Sequence, residues 1–488
     1  MSKKDESKPI SRRRYLKYAA AAAVAAAAVA GGAYYGTMPP PKATETATAT
    51  ATPTATATAT PTATATGLPE VPVRIGFSAV AASDALNVEF YKKFVEMHPN
   101  VAVDYYSWPG SSYYEKMSSV MMVSPELVDI VCVDWGYSRN YYKAGWTTEI
   151  DPLPGALEYK NTLVDSAQVL FTLEGKFLGV PCFMGEYSSF WNPSAFAKVG
   201  VTEPPKTWVE ILEALVEMKK RHMYKYGLAA LFSSSVWWGP HIDWAMLAAN
   251  YGGKETRLFG PPPTYEPLFL SEDTPGYKAM KLLVDFKQKY NVLDPASFEI
   301  AGSGSVCQLG MADLAPLVVR AQGWNLIGNL NNPKTSGTAG KWDWLPAPEG
   351  GVFLAQGQYF GPSKYLMTKK DEATQKWTWE LLKYIGSYEY QKKYSLTNGM
   401  SPAFKAEWDD PDIKNFFSTK GTFDTFKNMA TQCVPITVVN NVIDSAFFVD
   451  WRFESSIAIQ KAIMGKTTLD HCLNYLAEFT AGLAKKYA

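Results

Sequence analysis

Between residues 71 and 135 the hydrophobic pattern switches back and forth between a period of two and a period of 3.6 residues. "VPVRIGFSAV" puts Val71, Val73, Ile75 and Phe77 on one face, as a strand does. "DALNVEFYKKFVEMHP" then carries Leu86, Phe90, Phe94 and Met97 at helical spacing. A strand "NVAVDYYSW", a helix "YYEKMSSVMMV" and the apolar run "VDIVCVDW" follow. Unbroken apolar runs suit parallel strands buried on both faces. Strands alternating with helices predict a parallel sheet covered on both sides, an α/β fold. Ligands of such sheets sit beyond the carboxyl ends of the strands. Those ends here are residues 78–83, 108–112 and 134–135.

The rhythm restarts further on. "EPPKTWVEILEALVEMKK" has Pro204 and Pro205 before the helix and Thr207 with Glu210 as a capping box. Its apolar face is Ile211, Leu212, Leu215, Val216 and Met218. "SSSVWWGPHIDWAMLAANYGG" reads as a Trp-rich loop and helix, and "TPGYKAMKLLVDFKQKY" as a helix. "DLAPLVVRA" and "YFGPSKYLMT" are strand candidates, and the last hundred residues are mostly helical. "AGSGSVCQLG" lacks the spacing GxGxxG and reads as a loop. "MGKTT" is no phosphate-binding loop, because the position that needs Gly is Gln460.

What precedes this region cannot build a core. "TATATATPTATATATPTATATG" offers only the methyls of Ala and Thr, broken by Pro53 and Pro61. As a flexible strip it would average roughly 25 Å, and in a polyproline II form about 70 Å. Its dense Thr also permits O-glycan decoration. Upstream, "SRRRYLK" resembles a twin-arginine export signal with Tyr15 where Phe is usual, and the Ala/Val run 19–33 has the length of a signal h-region. As a membrane span that run is marginal, and both cleavage and retention as an anchor stay open.

Composition narrows the partners. With 47 basic and 47 acidic residues, no overall field favours nucleic acid. Five scattered cysteines form no CxxC, which excludes zinc-ribbon and thioredoxin-type signatures; separate burial is expected, with one disulfide as the alternative. His98, His222, His241 and His471 lack metal-ligand spacing, so no metal and no cofactor are expected. Fifteen Trp and 28 Tyr suit stacking on sugar rings, although each also suits a core. Only six of the nine Arg lie after the export signal, too few for a site built on anion-gripping forks.

The order of "VDIVCVDWGYSRNYYKAGWTTEIDPL", "GKFLGVP", "FWNPSAFAKVGVTEPPKTWVEILEAL", "WAMLAANYGG", "KWDWLPAPEGG" and "NGMSP" resembles the extracellular solute-binding proteins of ABC importers, especially the sugar-binding, maltose-binding-protein-like branch. The resemblance runs from about Val73 to the C-terminus. It implies a two-lobed periplasmic-binding-protein-like fold with a ligand cleft between the lobes. The implied organisation is 1–36 as signal or anchor and 37–69 as stalk. Lobe I is then 70–183 plus 347–397, and lobe II is 184–346 plus 398–488. Crossings are implied near 181–185, 346–351 and 398–402. The implied function is capture of a sugar or oligosaccharide by a monomer tethered at the cell surface, and its delivery to the membrane permease. A stalk would keep the local concentration high beside that partner.

Carried onto this chain, the cleft would be lined by Trp108, Asp134, Trp135, Glu186, Trp237, Trp238, His241, Asp243, Gln356, Tyr359 and Trp451. The chain departs from the family pattern in "CFMG" before Glu186 and in the missing aromatic near "LGMADLAP". The alternative reading is an exported glycoside hydrolase using two carboxylates. A polar non-sugar ligand such as a glycerol phosphodiester or a polyamine also stays open.

Overall fold

The computed structural model describes residues 72–487, apart from 236–238, 301 and 419–420. The export-signal-like segment, the Thr/Ala/Pro strip, Trp237 and Trp238 therefore lie outside the described residues. Among the described residues no helix is long and apolar enough to cross a membrane.

The first five elements follow the sequence rhythm: β1 (Val73–Val80), α1 (Asp84–Met97), β2 (Val101–Trp108), α2 (Gly110–Val123) and β3 (Ile130–Asp134). A long strand β4 (Val180–Trp191) comes next, then α3 (Trp208–Lys220), β5 (Leu228–Ala229), α4 (Pro240–Gly252) and α5 (Pro275–Gln288). After α6 (Ser303–Met311) come β6 (Leu317–Ala321), β7 (Asp343–Leu345) and β8 (Leu354–Pro362). Helix α7 (Tyr388–Asn398), the short β9 (Val434–Pro435), α8 (Phe448–Ile463) and α9 (Leu469–Tyr487) complete the frame.

One nine-stranded sheet runs in the order β2-β1-β3-β8-β4-β6-β5, with β9 on β8 and β7 on β4. Strands β1, β2 and β3 are parallel, with Val73 opposite Val101 and Phe77 opposite Ile130. Strand β4 is antiparallel to β8, β6 and β7, and β8 is antiparallel to β3 but parallel to β9. The sheet is thus mixed, not wholly parallel. Strand β8 pairs with β3 and with the first half of β4, while the second half of β4 pairs with β6 and β7. A strand shared by both halves of a sheet runs where the topology needs it, without a crossover helix to set its direction.

The capping box of α3 is present, with the Thr207 hydroxyl accepting from the Glu210 N–H. Helix α4 is buried almost all round, so its polar side chains lie in the core and need partners there. Two local readings are corrected. Residues 303–311 form helix α6 rather than a loop, because Gly310 lets the helix approach Leu330 and Trp342, where a Cβ would come within 2.7 Å of both. The strand candidate "YFGPSKYLMT" ends at Pro362, and Ser363 caps a helix over Lys364–Lys369. All five cysteines are buried and unpaired.

Candidate functional site

The carboxyl ends of β1 and β3 meet β4, β6 and β8 around two joined chambers. The inner chamber, about 310 Å³, is lined by Asp134, Tyr187, Arg320 and Gln356 among others. The outer chamber, about 490 Å³, reaches Val80, Ser83, Ile327, Tyr394 and Met400. Phe183, Gln322, Trp324 and Gln358 line both, so the two form one cleft.

Strand alternation explains which side chains reach it. Gln356 and Gln358 are two apart on β8 and face the same side. Opposite them, Phe183 and Tyr187 on β4 flank Gly185, which has no side chain to compete with Gln356: a Cβ there would stand 2.7 Å from Gln356 Nε2. That Nε2 is buried and has no partner within the described residues, so it is available to a ligand. Gln358 Nε2 donates to Asp134 Oδ2 and to the Tyr114 hydroxyl, both at 3.2 Å.

Asp134 caps the turn after β3, its Oδ1 accepting from the Gly136 N–H at 3.1 Å. Burial pushes its carboxyl up to about 7, against the pull of Gly136 and Gln358. It is therefore poised between acceptor and donor near neutral pH.

Arg320 is the unanticipated member. The register of β4 against β6 slips between Ser188 and Ser189, opposite Ala321 and Val319, and leaves Arg320 as the bulged residue. Its φ of 55° is left-handed, a conformation a non-glycine residue holds only at a cost. The bulge turns the guanidinium into the cleft wall, where Nε meets Asp243 Oδ2 at 2.9 Å and Nη2 donates to the Leu231 carbonyl. Both partners of the ion pair are almost wholly buried. Asp243 thus neutralises the one arginine among the described residues of the cleft lining, even though burial pushes its own carboxyl up.

The other residues named from sequence fall in three groups. Asp134 and Gln356 line the inner chamber. Several others lie outside the lining of both chambers, in supporting or core positions. Trp451 is fully buried on α8, its indole N–H donating to Thr480 at 2.8 Å, with Phe259 and His241 packed on it. His241 is buried on α4 against Ser456, its Nδ1 2.9 Å from the hydroxyl, and burial holds it neutral. Tyr359 emerges on the far face of β8, beside Phe171. Glu186 alternates away from the cleft and accepts from Ser401, and burial raises it to about 7. Trp135 is buried behind the lining with its indole directed at Tyr187. Trp108 stacks on Tyr106 at 6.4 Å and does not line either chamber. Trp237 and Trp238 lie outside the described residues.

Sequence reasoning missed Arg320, Gln322, Trp324, Phe183 and Gln358. For Gln358 a signal existed, the strand period from Gln356. For Trp324, a half-buried indole whose N–H donates to Gln322, none did. Among the described residues no cluster of His, Cys, Asp and Glu is gathered to hold a metal ion.

The family model of the bacterial extracellular solute-binding proteins matches residues 79–392. An uncharacterized ABC transporter extracellular-binding protein of Pyrococcus horikoshii is 28% identical over 175 residues, which is 35% of this chain and 39% of that protein. The chain thus aligns with well under half the length of that relative. Among solved structures, a maltose-bound MalE3 of T. maritima superposes with a TM-score of 0.68 at 15% identity, covering 84% of this chain and 99% of that one. The GacH receptor of Streptomyces glaucescens, solved unliganded and with acarbose, gives 0.66 at 16% identity, over 86% and 100%. An ABC transporter solute-binding protein of Agrobacterium radiobacter in complex with ribitol gives 0.67 at 14%, over 85% and 100%. These likenesses show a two-lobed periplasmic-binding-protein-like fold.

Proposed function

This chain belongs to the bacterial extracellular solute-binding proteins, and from that premise we propose that it captures a sugar or polyol in the cleft and hands it to an ABC permease. The observation that carries the reading is the inner chamber. Its one arginine is neutralised by Asp243, while Asp134, Gln356 and Gln358 offer neutral or acceptor chemistry beside the Trp324 and Phe183 rings. Hydroxyls would bond the amides and Asp134, and ring C–H faces would stack on the indole. Maltose, acarbose and ribitol in the structural relatives fit the same chemistry. An anion would find no unpaired arginine among the described residues that line the cleft.

Lobe I is assigned to 70–183 plus 347–397 and lobe II to 184–346 plus 398–488. The switch of β4 from β8 to β6 near Ser188 supports this division. Closure of the lobes on ligand would present one shape to the permease. The protein acts as a monomer and carries out no reaction. Asp134 is the only carboxylate among the described residues lining the inner chamber, and glycoside hydrolysis needs two. The export-signal-like segment and the Thr/Ala/Pro strip would hold it outside the cell, close to the membrane.

A thermal-shift screen of mono- and oligosaccharides, polyols, amino acids, peptides and polyamines tests the reading. Stabilisation by sugars or polyols is expected. A response confined to amino acids, peptides or polyamines would defeat it.

A further inference from the structure

The two chambers differ in what they leave unspent. In the inner one, Gln356 Nε2 is buried without a partner and Asp134 has lone pairs to offer. In the outer one several of the polar atoms are already engaged. The Ser83 hydroxyl lies 3.3 Å from that of Tyr394, Gln322 Oε1 accepts from Trp324, and Gln358 Nε2 is held by Tyr114 and Asp134. Thr397 and Asn398 stand at the more exposed mouth. The remaining wall is carbon: Val80, Phe183, Ile327, Met400 and the Trp324 ring.

Away from the Trp324 and Phe183 rings, which it shares with the inner chamber, and the Tyr394 ring beside Phe183, that wall is unlike a sugar platform. A sugar ring wants a flat aromatic face with hydrogen-bond partners at its edge, and Val80, Ile327 and Met400 supply neither plane nor partner. Branched and flexible aliphatic side chains instead match an alkyl or aryl group, which gains by leaving water. Space is sufficient, since an apolar cavity of about 150 Å³ accepts a benzene ring and the outer chamber is about 490 Å³.

Building on the sugar or polyol reading above, we infer that the natural ligand is amphiphilic. It is a glycoside whose sugar head occupies the inner chamber and whose alkyl or aryl aglycone occupies the outer one.

The test is calorimetric titration of the full chain with the free sugar and the methyl, phenyl and hexyl β-glycosides of glucose and of maltose, kept below their micellar concentrations. The hexyl or phenyl glycoside should bind at least tenfold tighter than the methyl glycoside of the same sugar, as one buried methylene brings about a fourfold gain. Ile327→Asn should shrink that ratio to near one. If the methyl glycoside or the free sugar binds as tightly as the hexyl glycoside, the amphiphile is wrong and the sugar reading stands. If the ratio is large but survives in Ile327→Asn and in Met400→Gln, the aglycone lies elsewhere and the outer-chamber assignment falls. If no sugar or glycoside of the panel binds while the screen finds another class, both readings fall together.

Discussion

Trp324 and Trp451 have the same side chain and opposite roles. Trp324 is half-buried in the wall shared by both chambers, with one face open to a ligand. Trp451 has no exposed surface and bonds Thr480 inside the packing of α8 and α9. Trp324→Ala should therefore weaken ligand binding by about 1–3 kcal/mol, as loss of an aromatic anchor buried on binding does, with little change in melting temperature. Trp451→Ala should cost about 3–5 kcal/mol of stability through the cavity it leaves. Paired calorimetric titration and denaturant unfolding separate the two; equal affinity in Trp324→Ala would remove that residue from the site. Asp134 gives a prediction of a different kind. Its carboxyl titrates near 7 in the folded protein because burial disfavours the charge. The folded state therefore holds the proton more tightly than the unfolded chain does. Its contribution to stability falls as pH rises from about 4 to about 7 and is flat above. Asp134→Asn should be nearly neutral in stability at pH 4 and stabilising by on the order of 4 kcal/mol at pH 8. Ligand affinity should move the other way in the wild type, rising from pH 6 to pH 8 as the carboxylate forms and accepts hydroxyls. Titrations at the two pH values check both signs, and an affinity flat across that range would show that Asp134 does not touch the ligand.

Elements were legible from sequence where their signals are local. The Thr207–Glu210 capping box, the period-two run of β1 and the fully buried β3 with its apolar run before Asp134 are each written in a few adjacent residues. Thr207→Ala should accordingly lower stability by about 1 kcal/mol without changing affinity, since α3 contributes nothing to either chamber. The antiparallel placement of β4 between β8 and β6 had no such signal, because it depends on partners more than a hundred residues away. The same holds for the cleft. Its strand-end positions, Asp134 among them, follow from the α/β rhythm, and Gln356 follows from the crossing region. Arg320 depends on a bulge that only the pairing of β4 with β6 creates. His241, Asp243 and Trp451 lie buried outside the chamber linings, since aromatic and polar clustering in sequence looks alike in a binding wall and in a buried helix. Gly185 shows how closely the crossing strand and the site are coupled, since its missing side chain is the space that Gln356 uses. Gly185→Val should displace the Gln356 amide and weaken binding at least tenfold. Any loss of stability should be modest, because the nearest atoms, Gln356 Nε2 and the Met400 methyl, end flexible side chains. Unchanged affinity in that variant would mean that Gln356 is not a ligand contact.

At the scale of the whole molecule, two stretches of chain obey different physics. Residues 73–487 carry the sheet, the core and both chambers. Residues 46–67 have only Ala and Thr methyls and two Pro rings to bury, far short of the roughly 1–2 kcal/mol per residue that ordering a backbone costs. Every described residue that lines the cleft lies at or beyond Val80, and the first residue of β1 already pairs with Val101. A protein beginning at Val71 should therefore melt at the temperature of the full chain and bind the same ligand with the same affinity. It should differ in one property, retention by the cell. The full chain should fractionate with membranes and the shortened one, given an ordinary cleavable export signal, should appear in the medium. Uptake should then fall even though binding is intact, because a free binding protein is diluted away from the permease while a tethered one is held at high local concentration. Equal membrane retention of the two forms would show that the upstream segment is not the tether. A loss of affinity in the shortened form would show that the strip contributes to the fold, against the composition argument.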